Sequence, residues 1–474
     1  MYDNGIASLF AAAADRAARF RDTIRDRPQR PLQDYAASLA AFEESLPEHS
    51  SSMQDALEEL WAKAEPGLHM PTGPRFFGWV MGGSHPVGVA ADFMASAWGQ
   101  NAGNHMSAPS AAAAETVAAH WLLELLDLPR ESSVGFVTGA TAANFTCLAA
   151  ARSSLLRSAG WDSDAEGLFG APPISVVIGD DAHTTIFSAL QYLGLGHDRV
   201  ERVRTDDDGR IDTAEFKSRL ASLKSQGALI LVILQAGQIN TGAFDNFAEL
   251  IPLAKSVGAW VHIDGAFGLW ARASASKRYL ASGAELADSW ATDGHKWLQI
   301  PYDSGYAFVR DELSHRRAMT MSASFLPVAT DHERDPAQYV PELSRRARGF
   351  STWAVIKHLG RDGVSAIVDR NCEAATEMAS ILSSEPGIEV LNSVELNQLI
   401  VSFGGGLSVD QDSLTGRVIQ KIQDAGEIFT GGARWKGKSV MRISITNYLT
   451  DVEEGRRAAQ SIVASFREAV NHGG

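Results

Sequence analysis

Lys296 keeps company that surface lysines do not. It lies within Ala291-Thr-Asp-Gly-His-Lys-Trp-Leu298, with Trp290 just upstream and Trp297 and Leu298 directly after it. Most lysines are solvated charges, whereas an amine drawn out of water is favoured in its neutral form. A neutral amine condenses with an aldehyde to give a Schiff base. Chemistry of that kind needs further groups around it: an anion cradle, an aromatic or proton-bearing wall, and a carboxylate.

Three stretches supply candidates. Thr138-Gly-Ala-Thr141 follows a β-branched run and precedes a helical one, so its small residues let backbone N–H groups converge on an anion at a helix start. It has neither a Walker lysine nor a Gly-x-Gly-x-x-Gly pattern, and taken alone it reads as an ordinary capped turn. His183 follows the run Ile174–Ile178 in Asp180-Asp-Ala-His183-Thr-Thr. Alone it reads as a capping or core residue; facing a pocket it is an aromatic plate or proton donor. Asp264 ends the run Ala259–Ile263, where a carboxylate often only caps the next turn. It precedes Lys296 by thirty-two residues, room for one helical crossover and a strand, which sets the two on neighbouring strand ends. Together these are the parts that pyridoxal 5′-phosphate requires. The phosphate takes the helix N-terminus, the aldehyde takes the lysine, and a carboxylate keeps the pyridine nitrogen protonated so that the ring is an electron sink.

The elements that must position these residues follow from periodicity. Short β-branched runs at Val134–Val137, Ile174–Ile178, Leu229–Leu234, Ala259–Ile263 and Tyr306–Val309 alternate with helical stretches such as Ala142–Ala159, Thr213–Leu223 and Phe247–Ser256. Continuous apolar runs with helical crossovers predict an α/β fold, a mostly parallel sheet covered on both faces, with chemistry at the C-terminal strand ends. Ahead of it, Ala11–Arg27, Leu32–Leu46 and Met53–Ala64 read as helices too few to form a core alone, so they lie on something larger, such as a partner subunit. Arg75–His85 mixes Gly with aromatics; a pocket wall and a buried linker fit it equally. From Phe350 a smaller α+β region follows, with strands at Glu389–Leu391, Gln398–Phe403 and Ser439–Thr446. The expected division is 1–74 helical, 75–345 cofactor-binding, and 346–474 small C-terminal domain.

The bulk numbers exclude several classes. With 474 residues and 45% hydrophobic content, the chain can bury a large core. Its 42 basic against 57 acidic residues give a net charge of −15, which argues against nucleic acid or an anionic membrane as main partner. Two cysteines, Cys147 and Cys372, do not make a disulfide scaffold and suit a reducing cytoplasm. The N-terminus lacks the pattern of a signal peptide, and the most apolar run, Ala228–Leu234, is too short to span a bilayer. Asp206-Asp-Asp-Gly209 resembles a calcium loop only superficially. Arg204 would hold its first ligand position, so no metal site is expected; a turn before a helix cap at Asp212 or Thr213 explains the run.

Six stretches together resemble the group II pyridoxal-phosphate decarboxylases, which act on amino acids such as glutamate, tyrosine, histidine and the aromatic set. They are Thr138–Asn144, His183 with Leu193-Gly-Leu-Gly196, Gly242-Ala-Phe-Asp245-Asn, His262-Ile-Asp-Gly-Ala266, His295-Lys-Trp297 and Ser344-Arg-Arg-Ala-Arg348. The resemblance runs from about residue 70 to the C-terminus. It implies a fold-type-I subunit with a seven-stranded sheet, and a homodimer with sites at the interface. It implies that Lys296 is the Schiff-base lysine, Asp264 the partner of the pyridine nitrogen, Ala266 the floor under the ring and His183 the stacking residue. Ala140 and Thr141 would hold the phosphate, with Ser289 and His295 nearby. Trp79, Val80, Asn104, His105 and Met106 would contribute to the substrate pocket, some from the partner subunit.

Two departures bear on the reaction. Where the family carries a loop tyrosine that protonates Cα, this chain has Ser322-Ala-Ser-Phe325-Leu-Pro327, and phenylalanine donates no proton. Relatives called aldehyde synthases carry such a change and make aldehyde, ammonia and peroxide. Tyr302 and Tyr339 are the candidate replacement donors. The second departure is Gln238-Ile-Asn240, where the family has a Gly-Thr-Thr run beside the cofactor. Three functions stay open: decarboxylation of an L-amino acid to an amine, oxidative decarboxylation-deamination to an aldehyde, and an aminotransferase or idle cofactor-binding homologue. No basic anchor for an acidic side chain is evident among the pocket residues, which favours an aromatic or apolar amino acid.

Overall fold

The computed structural model describes residues 5–320 and 333–471. Seven strands form the main sheet: β1 (Ser133–Val137), β2 (Ile174–Gly179), β3 (Val200–Val203), β4 (Leu229–Gln235), β5 (Trp260–Asp264), β6 (Ser289–Asp293) and β7 (Gly305–Val309), in the order β1-β7-β6-β5-β4-β2-β3. The strands β3, β2, β4, β5 and β6 pair in parallel, and β7 runs antiparallel to both β6 and β1. The fold is therefore α/β with a mostly parallel seven-stranded sheet. All five residues of β5 and of β6 are buried. Leu234, Val261 and Ile263 pack on one face and Leu231, Ile233 and Ala291 on the other, as continuous apolar strands require.

Helices α1 (Ile6–Asp22), α2 (Tyr35–Phe42) and α3 (Met53–Ala64) come first, and none of them buries a residue. The expected helix Leu32–Leu46 shortens because Asp34 caps it, its side chain accepting the Ala37 N–H at 2.8 Å. Next come α4 (Pro86–Trp98), α5 (Pro109–Leu125), α6 (Ala140–Ser158), the single turn α7 (Ser163–Glu166), α8 (Thr184–Tyr192), α9 (Thr213–Ser225) and α10 (Phe247–Ser256). Asp212 caps α9 by accepting the Glu215 N–H, so the acidic run before it is a turn and cap. The crossover from β5 to β6 is not one helix but three short 3₁₀ turns: Gly268–Ala273, Arg278–Ala281 and Ala284–Leu286. Arg272 organises it, donating to the carbonyls of Leu126, Asp127 and Ala281.

After β7 come α11 (Glu312–Met319) and α12 (Arg348–Ser383), the latter broken at Gly360, whose φ of 61° no helix accommodates. The second sheet is antiparallel, in the order β10-β11-β9-β8, from β8 (Ile388–Val390), β9 (Gln398–Phe403), β10 (Gly431–Trp435) and β11 (Lys438–Ser444). It packs with α13 (Gln411–Ala425), α14 (Val452–Asn471) and the end of α12 around Met378, Leu399, Val401, Ile443 and Ile462. The arginine run ties these parts together. Arg345 is fully buried against Glu115 of α5 at 2.8 Å and donates to the Phe136 carbonyl, while Arg346 pairs with Asp92 and Arg348 with Asp303. Among the described residues, no helix is long and apolar enough to cross a membrane.

Candidate active site

The C-terminal ends of β1, β4, β5 and β6 surround a cleft of about 320 Å³. Its floor and walls include Thr138–Ala142, His183, Gln235, Asp264, Ala266 and the turn Asp293–Lys296. Gly139 precedes α6, whose first N–H, that of Ala140, donates to the Asp293 carboxylate at 2.5 Å. The N-terminus of α6, with its unpaired N–H groups and positive end, thus opens into the cleft. Gly305 packs directly behind it: a Cβ there would sit 2.5 Å from the Gly139 Cα, so β7 approaches this turn only as glycine.

Asp264 ends β5 opposite Ala291 of β6, so Asp264 and the lysine turn do stand on neighbouring strand ends. Its carboxylate is buried, and its one hydrogen bond among the described residues is a long one from the Ala266 N–H at 3.3 Å. Burial pushes its pKa up, with His183 and Lys296 pulling the other way. A buried carboxylate so poorly supplied with donors calls for a cation or an N–H in the cleft. His183 caps α8; its Nδ1 lies 2.8 Å from the Thr185 hydroxyl and 3.3 Å from the Thr185 N–H. Burial pushes this imidazole down, towards the neutral ring.

Lys296 is held differently from the expectation of an amine among apolar neighbours. Trp290, Trp297 and Leu298 are buried, but the Lys296 Nζ pairs with Asp293 at 2.8 Å. The backbone turn around it is fixed on three sides. Gly294 and His295 N–H groups donate to the Ser304 carbonyl, the Gly82 N–H donates to the His295 carbonyl, and Trp297 Nε1 donates to Asn371 of α12. A Cβ on Gly82 would lie 2.1 Å from the Lys296 carbonyl oxygen, so the Arg75–His85 segment packs directly on the lysine turn. His295 accepts the Ser304 N–H and stacks on Tyr302 with ring centroids 4.2 Å apart. Burial pushes His295 down as well.

The pattern of the pyridoxal-dependent decarboxylase conserved domain matches residues 36–404. The chain belongs to the pyridoxal-dependent decarboxylase family. It is 26% identical to an aromatic-L-amino-acid decarboxylase of Bacillus atrophaeus over 432 residues, covering 90% of this chain and 88% of that one. It is 24% identical to a phenylacetaldehyde synthase of Arabidopsis thaliana over 460 residues, covering 94% and 92%. Its fold matches the crystal structure of Oryza sativa TDC with PLP and tryptamine at a TM-score of 0.91 and 21% identity, covering 99% of both chains. The chain is thus a pyridoxal-phosphate-dependent carboxy-lyase, and the donor set of its cleft suits that cofactor: an anion-accepting helix start, an amine, and a buried carboxylate short of donors.

Within this decarboxylase, Ala140, Thr141, His183, Asp264, Ala266, His295 and Lys296 all line the one cleft. Ser289 does not reach it. It sits at the opposite end of β6 from Asp293, accepting the Trp260 indole N–H at 3.0 Å and lying 2.9 Å from His262 Nδ1. His262, pushed down by burial to about 3, contacts Asn144 of α6 through Nε2, so Ser289 braces the sheet behind the cleft. Trp79, Val80 and His105 do not line the cleft within one chain. Trp79 is 54% exposed beside His69, Phe76 and Phe429, Val80 is in the core, and His105 pairs with Asp335 at 2.6 Å. Phe325 lies outside the described residues. Of the two candidate tyrosines, Tyr302 lies against His295, whereas the Tyr339 hydroxyl is bonded to Glu312 and its ring sits under Arg334. In the Gln238-Ile-Asn240 departure, Ile239 lines the cleft, while the Gln238 side chain braces its own turn by accepting the Asn240 and Thr241 N–H groups.

Two residues not singled out for the cofactor cleft now stand there or near it. Asp293 lines the cleft three residues before Lys296, a spacing visible in the sequence. The side chain of Arg442, in β11, makes no hydrogen bond or ion pair among the described residues. Burial pushes its pKa down, and its charge is felt at His183. Arg434, on the neighbouring strand β10, is exposed and turned to Asp412.

Proposed function

We propose that this chain removes the α-carboxylate of an L-amino acid of the aromatic or apolar class, with Lys296 as the amine that bonds the cofactor aldehyde. The observation that carries the reading is the convergence of Lys296, Asp264, His183 and the α6 N-terminus on one cleft. In it, Asp264 would hold the pyridine nitrogen and its proton, His183 and Ala266 would pack against the ring, and Ala140 and Thr141 would hold the phosphate with His295 alongside. When bound, pyridoxal phosphate supplies the electron sink for the breaking Cα–carboxylate bond. Arg442, half-buried and with no side-chain partner among the described residues, is the cation near His183 suited to orient a carboxylate. Arg442→Ala then raises KM about tenfold, with a smaller change in kcat.

The proposed assembly is a cytoplasmic homodimer of subunits divided at about residues 74 and 345. It is supported by α1–α3, which bury nothing yet present Tyr35, Leu39 and Phe42, and by exposed Trp79. A second copy covering them brings Trp79 and His105 towards a substrate pocket. Analytical ultracentrifugation giving a monomer at micromolar concentration overturns this arrangement.

A second reading rests on Phe325, which cannot return a proton to Cα; it supports a reaction that consumes O₂ and water and gives aldehyde, CO₂, ammonia and peroxide. One assay separates the two. Holoenzyme is incubated under air with single amino acids, and CO₂, amine, aldehyde and peroxide are scored together. Amine without peroxide sinks the oxidative reading. Aldehyde with peroxide, shifted towards amine by Phe325→Tyr, establishes it. CO₂ from none of the amino acids removes both.

A further inference from the structure

Asp293 places a carboxylate where the cleft is built to take an anion. Its Oδ1 accepts the first N–H of α6, from Ala140, at 2.5 Å, and its Oδ2 pairs with the Lys296 Nζ at 2.8 Å. The His295 Nε2 lies 3.4 Å from Oδ1, and the side chain is 3% exposed. Gly139 has no side chain to cap α6, so the cap comes from another strand. One carboxylate therefore occupies both groups that the cofactor must use: the helix N-terminus that suits a phosphate and the amine that suits an aldehyde.

We infer that Asp293, which takes the first N–H of α6 and pairs with Lys296, is an internal stand-in for the cofactor phosphate and must give way when pyridoxal phosphate enters. The inference rests on the cofactor placement proposed above. A phosphate carries close to two negative charges and at the α6 N-terminus meets the Asp293 carboxylate at short range in a buried site, where like charges oppose each other strongly. Loading is then an exchange of one anion for another rather than the filling of a bare site. Asp293 stabilises the empty protein and weakens its hold on the cofactor by the same contact.

The test uses the full chain stripped of cofactor, with binding of pyridoxal 5′-phosphate and of pyridoxal followed separately by absorbance and intrinsic fluorescence. Asp293→Asn keeps an acceptor for the Ala140 N–H and removes the charge. Asp293→Ser does the same with a smaller group and covers the case in which the first variant fails to fold. Both are expected to bind pyridoxal 5′-phosphate about tenfold more tightly than the parent, a gain of roughly 1.4 kcal/mol. Pyridoxal, which lacks the phosphate, gains little. The cofactor-free variants melt below the cofactor-free parent, and the rise in melting temperature on loading is larger in the variants.

Unchanged or weaker pyridoxal 5′-phosphate binding in both variants overturns the inference, as does an equal gain for pyridoxal, which would assign the effect to Lys296 alone. A parent that takes up no pyridoxal 5′-phosphate, or takes it up equally well as Lys296→Ala with no imine absorbance in either, overturns the cofactor placement itself. That outcome is read on the parent and is distinct from the variant comparison.

Discussion

Two aspartates close adjacent strands of the same sheet and are treated in opposite ways. Asp264, at the end of β5, is buried with a single long backbone hydrogen bond among the described residues, and burial pushes its pKa up. Asp293, at the end of β6, is buried with a helix N–H, a lysine and a histidine gathered round it. A third, Asp245, shows the structural extreme: its two oxygens accept the Ile211 and Gln235 N–H groups at 2.9 and 2.7 Å, so it stitches β4 to the turn before α9. What separates them is the supply of donors. A carboxylate that the protein has satisfied is structural or self-neutralised, and one left short is available to a ligand.

The largest effect expected from this contrast falls at Asp264. Asp264→Asn should lower kcat about a thousandfold while leaving the protein folded and able to take up cofactor, because it removes the charge facing the cleft and little else. Turnover within a few fold of the parent, measured as CO₂ release, would break the contrast. Asp245→Asn should act on stability instead, at about 1–3 kcal/mol, since one of its two N–H donors then faces an amide NH₂. Its pH dependence carries a sign. Burial raises Asp245 to about 6, above the unfolded value near 3.9, so the native state holds the proton more tightly. That contribution is fully present below about pH 4 and is lost as pH rises through 6. Parent stability relative to Asp245→Asn should therefore fall between pH 4 and 6, as read by urea denaturation; a rise would reverse the assignment. The smallest effect belongs to Ser289→Ala, roughly 1 kcal/mol of stability with cofactor affinity unchanged, because its hydroxyl serves Trp260 and His262.

Much of this was legible in the chain. The β-branched runs at β2, β4 and β5 and the thirty-two-residue interval fixed which strand ends Asp264 and Lys296 would share. β3 and β10 lack such runs, having four residues and an opening pair of glycines, and β6, Ser-Trp-Ala-Thr-Asp, follows only from the interval between Asp264 and Lys296. Asp293 stands three residues before Lys296, but an aspartate at a strand end does not by itself reveal that it caps a helix following another strand. Ser289 was placed near the cofactor by resemblance, but periodicity alone does not tell the near end of a strand from the far one. Trp79 and His105 stand away from the cleft within a single chain, because Trp79 packs beside His69, Phe76 and Phe429 and His105 pairs with Asp335, contacts that local sequence pattern does not encode.

The reversed direction of β7 has a consequence for how the centre is assembled. Because β6 and β7 are neighbours and antiparallel, the loop 294–304 that carries Lys296 closes on itself, with Gly294 and His295 bonded to Ser304. Closing so short a loop takes little chain entropy and depends on local contacts. Asp264 reaches the same place by parallel pairing across a long crossover, which forms only when distant segments meet. The lysine loop is thus closed first by a nearby hairpin, with Gly82 and Asn371 packing on it from afar, whereas Asp264 depends wholly on remote topology. Partial opening between β5 and β6 would leave the Lys296 loop folded and deprive it of the group across the cleft.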